Sequence, residues 1–226
     1  ILGIAGVAGN GQIELLAALS GETRSKDASA ISLDGKEIGQ FGPNQRRNLG
    51  LAFVPEDRLG HGSVPEMMLT ENAFLSGYSR MSLMNNGFIN KGNTENYAVD
   101  IVKQFDVRTP GVNHTANSLS GGNLQKFIVG REVLQKPNVI IVAHPTWGAA
   151  SFIHQTLINL AENGAAVLVI SQDLDELFAI SNRIAVISEG RLSVGRELSE
   201  ITIEEIGLLM GGTHGMGEKT EAAHVT

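Results

Sequence analysis

Cysteine is absent from the 226 residues of this chain, which excludes disulfides and cysteine-ligated metal sites and fits a reducing compartment. Basic residues are also scarce, since 17 Lys and Arg stand against 24 Asp and Glu, for a formal net charge of -7. Binding a nucleic-acid backbone requires a basic surface, so we expect no nucleic-acid partner. No apolar run approaches the roughly 20 residues that span a bilayer, and no charged leader precedes the first apolar stretch. These absences predict a cytoplasmic globular protein that would reach a membrane only through a partner.

What the chain does contain is an alternation of strand and helix signals. The apolar run ILGIAGV ends in a glycine loop, and good helix formers follow from Gln12 to Leu19. Two more strands are predicted, one in AISLDGKEI with a turn at Asp34-Gly35 and one in LGLAFVPEDR. We therefore expect a strand, a loop and a helix, followed by two further strands.

The same alternation returns in the last third of the chain. It comprises the strand NVIIVA, a helix that ends at Gly164, the strand AAVLVIS, a helix in LDELFAI and a hairpin in RIAVISEGRLSV. Thr202 and Glu205 have the spacing of a capping box for a last helix that reaches about Met210. Strands that alternate with helices predict an α/β fold with a mostly parallel sheet.

The middle of the chain differs because its apolar residues take helical spacing, with loops such as MNNGF between the helices. One predicted apolar face comprises Ala98, Ile101, Val102 and Phe105. We interpret this stretch as a helical insertion in the α/β core. The predicted organisation is a first part of the core at 1–58, a helical subdomain at 59–136, a second part of the core at 137–211 and a flexible tail at 212–226.

The glycine-rich stretch GVAGNGQIEL comes close to the phosphate-binding pattern G-x-x-x-x-G-K-[ST]. Gly6 and Gly11 meet that pattern, but the lysine is replaced by Gln12 and the hydroxyl residue by Ile13. Backbone amides and the helix N-terminus could still hold an anion. The candidate nucleotide-binding residues are Gly6, Ala8, Gly9, Asn10, Gly11 and Gln12.

Two other interpretations of this loop are open on the residues alone. Its glycines could serve only a tight turn between a strand and a helix. A dinucleotide-binding loop is the other, because Asp34 lies where a ribose-binding acid would follow the next strand. The register argues against it, since G-x-G-x-x-G starting at Gly9 requires glycine where the chain has Glu14.

A second glycine motif, SLSGGNLQK, leads directly into FIVGREVLQ. A serine before two glycines makes an exposed helix N-terminus, with the hydroxyl as cap or ligand and no Cβ to obstruct a phosphate. Here the sequence resembles the ATP-binding-cassette family of transport ATPases, whose signature L-S-G-G-x-Q is followed by a strand. The matching residues are Leu119, Ser120, Gly121, Gly122 and, one position later than the commonest spacing, Gln125.

The resemblance covers nearly the whole chain and also points to one subgroup. The segments GVAGNGQ, VPEDR, LSGGNLQK and PTWG together are similar to the second, C-terminal cassette of tandem ATPases that serve simple-sugar and nucleoside importers. This resemblance implies a P-loop NTPase core with an inserted helical subdomain. It also implies that Glu56, in VPEDR, lies in the loop that couples the cassette to its transmembrane partner, although a solvated loop acid is the alternative.

By the same resemblance, every group that supports hydrolysis is replaced. Gln12 takes the place of the lysine on the phosphates, and Ile13 that of the hydroxyl on magnesium. Ala143 and His144 replace the Asp-Glu pair before Pro-Thr, and Gln172 replaces the sensor histidine. Loss of one such group costs about 10²- to 10³-fold in rate, so we expect no competent catalytic residue. His144 could act as a substitute base, but we favour a structural histidine at a strand end.

The retained signature implies a function in trans. Cassette dimers of this family hold nucleotide between the P-loop of one cassette and the LSGG helix of the other. This chain would thus complete its partner's ATP site while hydrolysing ATP poorly or not at all itself. The implied cofactor is ATP or ADP, with no metal site expected and the lost ligands arguing against Mg²⁺ at the chain's own loop. The implied partners are a second cassette in the N-terminal half of the same polypeptide, a permease and, indirectly, a substrate-binding protein, at the cytoplasmic face of the membrane.

Three other functions compete with this interpretation. The chain could be an interaction module of the same transporter that no longer binds nucleotide. It could be a cassette protein outside transport, but translation and DNA-repair factors of that kind would be expected to show basic surfaces or long charged insertions. A dinucleotide-dependent oxidoreductase leaves the LSGG motif unexplained.

Two features depart from the family pattern. PTWGAASFIH lacks the Leu-Asp segment expected after the glycine, and the sequence starts at Ile1 without the strands that precede the P-loop and the aromatic that stacks on adenine. A real deletion and an omission of residues both remain open.

Overall fold

The structure is a computed structural model, and it describes residues 1–145 and 150–212. Contacts divide the chain into two compact units. We call them the terminal unit, Ile1–Leu49 with the segment from Ala166 onward, and the central unit, Gly50–Ala165. The central unit is wider than the predicted subdomain at 59–136, and the predicted boundaries stay a prediction. The departure in PTWG and the predicted tail beyond residue 212 lie outside the described residues.

Strands and helices follow one another largely as the sequence predicts. The terminal unit begins with β1 (Leu2–Ala5), α1 (Gln12–Ser20), β2 (Ser32–Leu33), β3 (Lys36–Glu37) and α2 (Pro43–Asn48). The central unit contains β4 (Leu51–Val54), α3 (Leu69–Gly77), β5 (Met84–Asn85), β6 (Phe88–Ile89), α4 (Lys91–Gln104), α5 (Gly121–Val133), β7 (Val139–Ala143) and α6 (Ala150–Glu162). The terminal unit continues with β8 (Ala166–Ser171), α7 (Leu174–Ile180), β9 (Arg183–Ser188), β10 (Arg191–Leu192), β11 (Arg196–Glu197) and α8 (Ile203–Met210).

In the terminal unit, β1 lies between two parallel neighbours. It pairs with β8, placing Ala5 opposite Ser171, and with β9, placing Ala5 opposite Val186. β9 also pairs antiparallel with β10 and with β11. The three parallel strands β1, β8 and β9 are short, apolar and largely buried, as parallel strands are. The loops after β1 and β8 therefore begin at the same edge of this sheet.

A buried arginine fixes the far end of α1. Arg46 in α2 is fully buried, and burial lowers the pKa of its guanidinium from the usual value. A cation at the C-terminal end of a helix also complements the helix dipole. The guanidinium donates to five backbone carbonyls, those of Ala18, Leu19, Ile38, Gly39 and Phe41. The helix that starts at the glycine loop is thus anchored where it ends.

In the central unit, β4 and β7 pair in parallel, and helices α3, α4 and α5 pack together. Ala98, Ile101 and Phe105 are buried, as the predicted helical face requires, whereas Val102 is half-buried. The Phe105 ring packs on Gly130, where a Cβ would lie 2.6 Å from the ring. The helical character predicted for the middle of the chain is confirmed.

Two hairpins correct the sequence interpretation. AISLDGKEI forms the two-residue strands β2 and β3, which pair with each other because Asp34 and Gly35, with φ of 49° and 76°, reverse the chain. MNNGF, predicted as a loop, is the hairpin of β5 and β6, with Asn86 and Gly87 at φ of 49° and 84°. In both places a two-residue turn that accepts positive φ decides the local structure.

The capping box at the last helix is confirmed. Thr202 Oγ1 accepts from the Glu205 N–H at 3.2 Å, and the Glu205 carboxylate accepts from the Thr202 N–H at 2.9 Å. Across the part of the chain that the structure describes, no helix has the length and apolar character needed to cross a membrane.

Candidate functional site

The predicted phosphate loop joins β1 to α1 in the terminal unit. β1 ends at Ala5, α1 begins at Gln12, and between them Gly9 and Gly11 take φ of 84° and 108°. Such φ values strain any residue that carries a Cβ. At Gly11 a Cβ would also lie 3.1 Å from the Cα of Gly190. These glycines are therefore required by the backbone, and the loop has the strand, turn and helix order of an anion cradle.

The Gln12 side chain lies inside this loop. It is only 7% exposed, although it belongs to the first residue of a helix. Its Nε2 donates to the carbonyl of Val7 at 2.7 Å, and its Oε1 accepts from the backbone N–H of Asn10 at 3.1 Å. The carboxamide rests on Gly6, where a Cβ would lie 2.5 Å from Nε2. Gln12 thus closes the loop on itself, while Ala8 at the loop's tip is exposed.

Asn10 fastens the loop to the turn between β9 and β10, a contact that sequence reasoning missed. Its Oδ1 accepts from the N–H of Glu189 at 3.0 Å, and its carbonyl accepts from the N–H of Gly190 at 2.9 Å. Its Nδ2 donates to the Val7 carbonyl at 3.0 Å. The sequence predicts the turn itself but not this contact, because the contact depends on β1 pairing with β9.

The other two replaced positions of the terminal unit face solvent. Ile13, where a hydroxyl would hold magnesium, is 73% exposed. Gln172 follows Ser171 directly, and Ser171 is the partner of Ala5 in the parallel register. Gln172 is also exposed, at the sheet edge where the glycine loop begins. Gln172 therefore lies at the same sheet edge as the start of the loop, and its place as the sensor stays a prediction.

In the central unit, the ends of β4 and β7 bring Glu56 and His144 together. Val54 pairs with Val142, two residues before them on each strand. The His144 Nε2 lies 3.9 Å from the Glu56 Oε2, with side chains 14% and 46% exposed. The two side chains form an ion pair only when the imidazole is protonated, and their separation is too long for a hydrogen bond. Ala143, where a metal-binding acid would stand, is a buried methyl group.

The start of α5 is an exposed helix N-terminus, as predicted. Ser120 is the N-cap residue, yet within the described residues its hydroxyl makes no capping hydrogen bond. Instead, Ser120 Oγ accepts from the Nδ2 of Asn123 at 2.9 Å, which leaves the hydroxyl proton able to donate elsewhere. Ser120 and Gly121 are exposed, and Leu119 and Gly122 are half-buried. Of the two roles weighed for the hydroxyl, the geometry favours ligand over cap.

One residue of the predicted signature, Gln125, is buried instead of exposed. Gln125 is 2% exposed, since it lies one helical turn further along the buried side of α5. We therefore narrow the groups that α5 presents at its start to Ser120, Gly121 and Gly122, and correct the expectation for Gln125 accordingly. The rest of α5 is firmly anchored, because the buried Arg131 donates to the carbonyls of Gly62 and Asn72.

The residues present do not fit a magnesium ion. Mg²⁺ requires oxygen ligands, and neither Ile13 nor Ala143 carries a polar atom in its side chain. Within residues 1–145 and 150–212, no group of three or more acidic or histidine side chains could hold a metal. A phosphate fits the glycine loop only if the Gln12 side chain moves away. The Oε1 of Gln12 accepts from the Asn10 N–H, which an anion in the loop would otherwise bind.

Comparisons with known proteins agree with the geometry. A family model described as "ABC transporter" matches residues 1–147. The guanosine import ATP-binding protein NupO of Bacillus subtilis is 41% identical over 217 residues, and the nucleoside import ATP-binding protein NupA of Lactococcus lactis subsp. cremoris is 40% identical over 216. The ribose import ATP-binding protein RbsA 1 of Rubrobacter xylanophilus is 34% identical over 218. Each match covers 94% of this chain but only 42 to 43% of the relative, so the chain spans less than half the length of these proteins.

Solved structures show the same fold. A dimeric ATP-binding cassette in a post-hydrolysis state, bound to ADP and Pi, aligns with a TM-score of 0.71 over 88% of this chain and 85% of that one, at 20% identity. An ATP-binding subunit of an ABC transporter aligns with a TM-score of 0.71 over 93% and 87%, at 16% identity. The predicted P-loop NTPase class, α/β with a mostly parallel sheet, is confirmed. With its glycine loop, its LSGG helix and its match to the family model, the chain belongs to the ABC transporter family, as an ATP-binding cassette.

Proposed function

We propose that the chain is the second cassette of an importer for simple sugars or nucleosides, and that it completes the ATP site of a partner cassette without turning over ATP itself. The importer class is supported by relatives named for the import of guanosine, nucleosides and ribose. The family makes transport ATPase the enzyme class. The division of labour between two cassettes rests on the geometry of the two glycine motifs.

The proposed loss of hydrolysis follows from what the chain offers at each catalytic position. ATP hydrolysis requires a cation on the phosphates, a bound magnesium and a group that orients water. The chain offers instead the uncharged Gln12, the exposed Ile13 and the buried methyl of Ala143. Each missing group costs about 10²- to 10³-fold, and although such losses do not multiply, one or two make turnover negligible.

The single observation that carries the proposal is the open start of α5. The side chain of its N-cap residue, Ser120, makes no capping hydrogen bond to the first N–H groups and keeps a hydroxyl proton to donate. Helix N-termini attract phosphate through these donors and through the helix dipole. In the family this helix faces the nucleotide held by the other cassette. The groups we assign to the partner's ATP are therefore Ser120, Gly121 and Gly122.

At the chain's own loop we propose that ATP or ADP is held weakly and without turnover. The positive φ values of Gly9 and Gly11 support this, because they keep the backbone in the form of an anion cradle. The second candidate is a module that binds no nucleotide at all. That candidate is favoured by the position of Gln12, which already occupies the Asn10 N–H.

The proposed partners follow from the same family relation. A second cassette would occupy another part of the same polypeptide, and a match to 42% of the NupO length agrees with one cassette of two. The permease would contact the helical subdomain, for which we keep the predicted limits 59–136, with Glu56 in the coupling loop. A substrate-binding protein would act only through the permease. The cassette would lie at the cytoplasmic face of the membrane.

The decisive experiment replaces Ser120 in the assembled transporter. A glutamate there places negative charge at a helix start that would face the partner's phosphates, so Ser120→Glu should lower transport-coupled ATPase activity by about 100-fold or more. Ser199→Glu, at an exposed serine outside the subdomain assigned to the permease, is the matched control. If both variants kept the activity of the natural transporter, the role of α5 in trans would be lost.

A titration of the chain itself tests the silent site. ADP or ATP should bind with similar affinity with and without magnesium, and no phosphate should be released. Absence of binding would support the bare interaction module. Brisk hydrolysis by the isolated chain would contradict our interpretation of Gln12, Ala143 and His144.

A further inference from the structure

The unusual feature of the glycine loop is that its interior is already filled. A side chain at the first position of a helix commonly points into solvent, yet Gln12 is 7% exposed. It folds back over Gly6, which has no Cβ to keep it away, since a Cβ there would lie 2.5 Å from Nε2. The space enclosed by the loop therefore contains a carboxamide.

Both ends of that carboxamide are used. The Nε2 donates to the Val7 carbonyl at 2.7 Å, and the Oε1 accepts from the Asn10 N–H at 3.1 Å. The opposite orientation of the amide would set oxygen against a carbonyl and nitrogen against an N–H. The hydrogen-bond partners therefore fix which end is which.

A lysine could not make this pair of contacts. Its ammonium has three donors and no acceptor, so it could satisfy the Val7 carbonyl but would leave the Asn10 N–H for another acceptor. In a phosphate-binding loop the acceptor for such an N–H is an oxygen of the anion. The glutamine carboxamide supplies both groups: its Nε2 donates as the lysine ammonium would, and its Oε1 accepts as a phosphate oxygen would.

The loop is also held from outside, so its shape does not depend on a bound anion. Asn10 accepts from the N–H groups of Glu189 and Gly190, and its own Nδ2 is a second donor to the Val7 carbonyl. With Gln12 inside and this turn outside, the Asn10 N–H, the Asn10 carboxamide and the Val7 carbonyl all find partners within the protein.

We propose that Gln12 is an internal ligand of the glycine loop, which takes the place of a phosphate oxygen on Asn10 and must leave before a phosphate can bind. The proposal rests on the proposed function in one respect, namely that the loop is a phosphate cradle. It explains why three glycines persist without the lysine, because the loop keeps its form with a resident carboxamide. It also makes the affinity for nucleotide a matter of competition with one side chain.

The test compares binding of inorganic pyrophosphate and of ADP, both without magnesium, to the chain and to Gln12→Ala. Release of the Asn10 N–H should tighten binding about fivefold, the factor supplied by one net hydrogen bond. Gln40→Ala is the matched control, because it removes an exposed glutamine of the same unit that donates to the Lys26 carbonyl. Unchanged or weaker binding in a folded Gln12→Ala chain would overturn the proposal, and weaker binding would make Gln12 a ligand of phosphate instead.

A second measurement needs no variant. Hydrogen exchange of the Asn10 amide in the ligand-free chain should be slow, because Gln12 holds it, whereas exchange as fast as in an exposed loop would overturn the proposal. Failure here is distinguishable from failure of the proposed function, which is read from Ser120→Glu in the assembled transporter. If neither the natural chain nor folded Gln12→Ala bound pyrophosphate, the cradle and its internal ligand would both be refuted, while the role of α5 would stand.

Discussion

Helices α1 and α5 are built alike at one end and differ at the other. Each starts at a glycine motif, and each is anchored further along by a buried arginine, Arg46 for α1 and Arg131 for α5. At the start of α1 the side chain of Gln12 occupies the loop. At the start of α5 the Ser120 hydroxyl accepts from Asn123 and is exposed. Neither N-cap residue caps its helix with a side chain, but the loop before α1 holds one of its own N–H groups with a carboxamide, whereas the residues at the start of α5 are exposed.

The difference teaches that glycine serves two purposes in this chain. Gly9 and Gly11 take positive φ, so their lack of a Cβ permits a backbone conformation. Gly121 and Gly122 have helical conformation, so the lack of a Cβ there permits close approach. Sequence alone shows the same letter at all four positions. The variants below test the anchor of α1 and then the two purposes of glycine, and they are ordered by the expected change in the free energy of unfolding.

The largest effect should come from Arg46→Ala. This substitution removes the arginine donor from the carbonyls of Ala18, Leu19 and Phe41, whereas those of Ile38 and Gly39 keep backbone N–H donors. A buried unsatisfied acceptor costs about 1 to 3 kcal/mol, so we expect a loss of at least about 3 kcal/mol. Urea unfolding measures it. Arg191→Ala, at an exposed arginine of the same unit, should lose under about 0.5 kcal/mol. Equal losses in the two variants would mean that Arg46 does not anchor α1.

Gly11→Ala should give the next largest effect. The residue has φ of 108°, and its new Cβ would lie 3.1 Å from the Gly190 Cα, so we expect a loss of about 1 to 3 kcal/mol. Gly207→Ala is the control, because this glycine lies inside α8 with open space around its Cβ. That control should be stabilised by about 0.5 to 1 kcal/mol. A neutral Gly11→Ala would show that the loop can adopt another backbone conformation at no cost.

Much of the fold follows from the sequence because its signals are local. The alternation of apolar runs with helix formers predicts the order from β7 to α7, and the spacing of Thr202 and Glu205 predicts the cap of α8. The sequence does not predict the hairpin in MNNGF, because its strands have two residues each. They depend on the turn at Asn86-Gly87 and not on a periodic pattern of apolar residues. Local periodicity identifies long elements but says little about strands of two residues.

The candidate site divides in the same manner. The motifs predict which positions are replaced, including Gln12, Ala143 and Gln172, because those positions are defined by spacing along the chain. The contacts that give the replacements their meaning are not local. Asn10 meets Glu189 through the pairing of β1 with β9, and the approach of Glu56 to His144 follows from the pairing of β4 with β7. Composition and residue spacing do not show which strands pair, so they do not predict these contacts.

Gly121→Ala should have the smallest effect on stability and still damage function. A Cβ on Gly121 would lie 2.6 Å from Nη1 of Arg58, the end of a flexible side chain that can move, so we expect less than about 0.5 kcal/mol of change. The methyl group would nonetheless stand at the open start of α5 and lower the ATPase activity of the assembled transporter. Gly207→Ala is the matched control, because it adds a methyl group to a helix outside the subdomain assigned to the permease, with open space around the Cβ. Full activity of Gly121→Ala with unchanged stability would mean that no nucleotide approaches this helix start closely, and the contrast between the two glycine motifs would then reduce to backbone conformation.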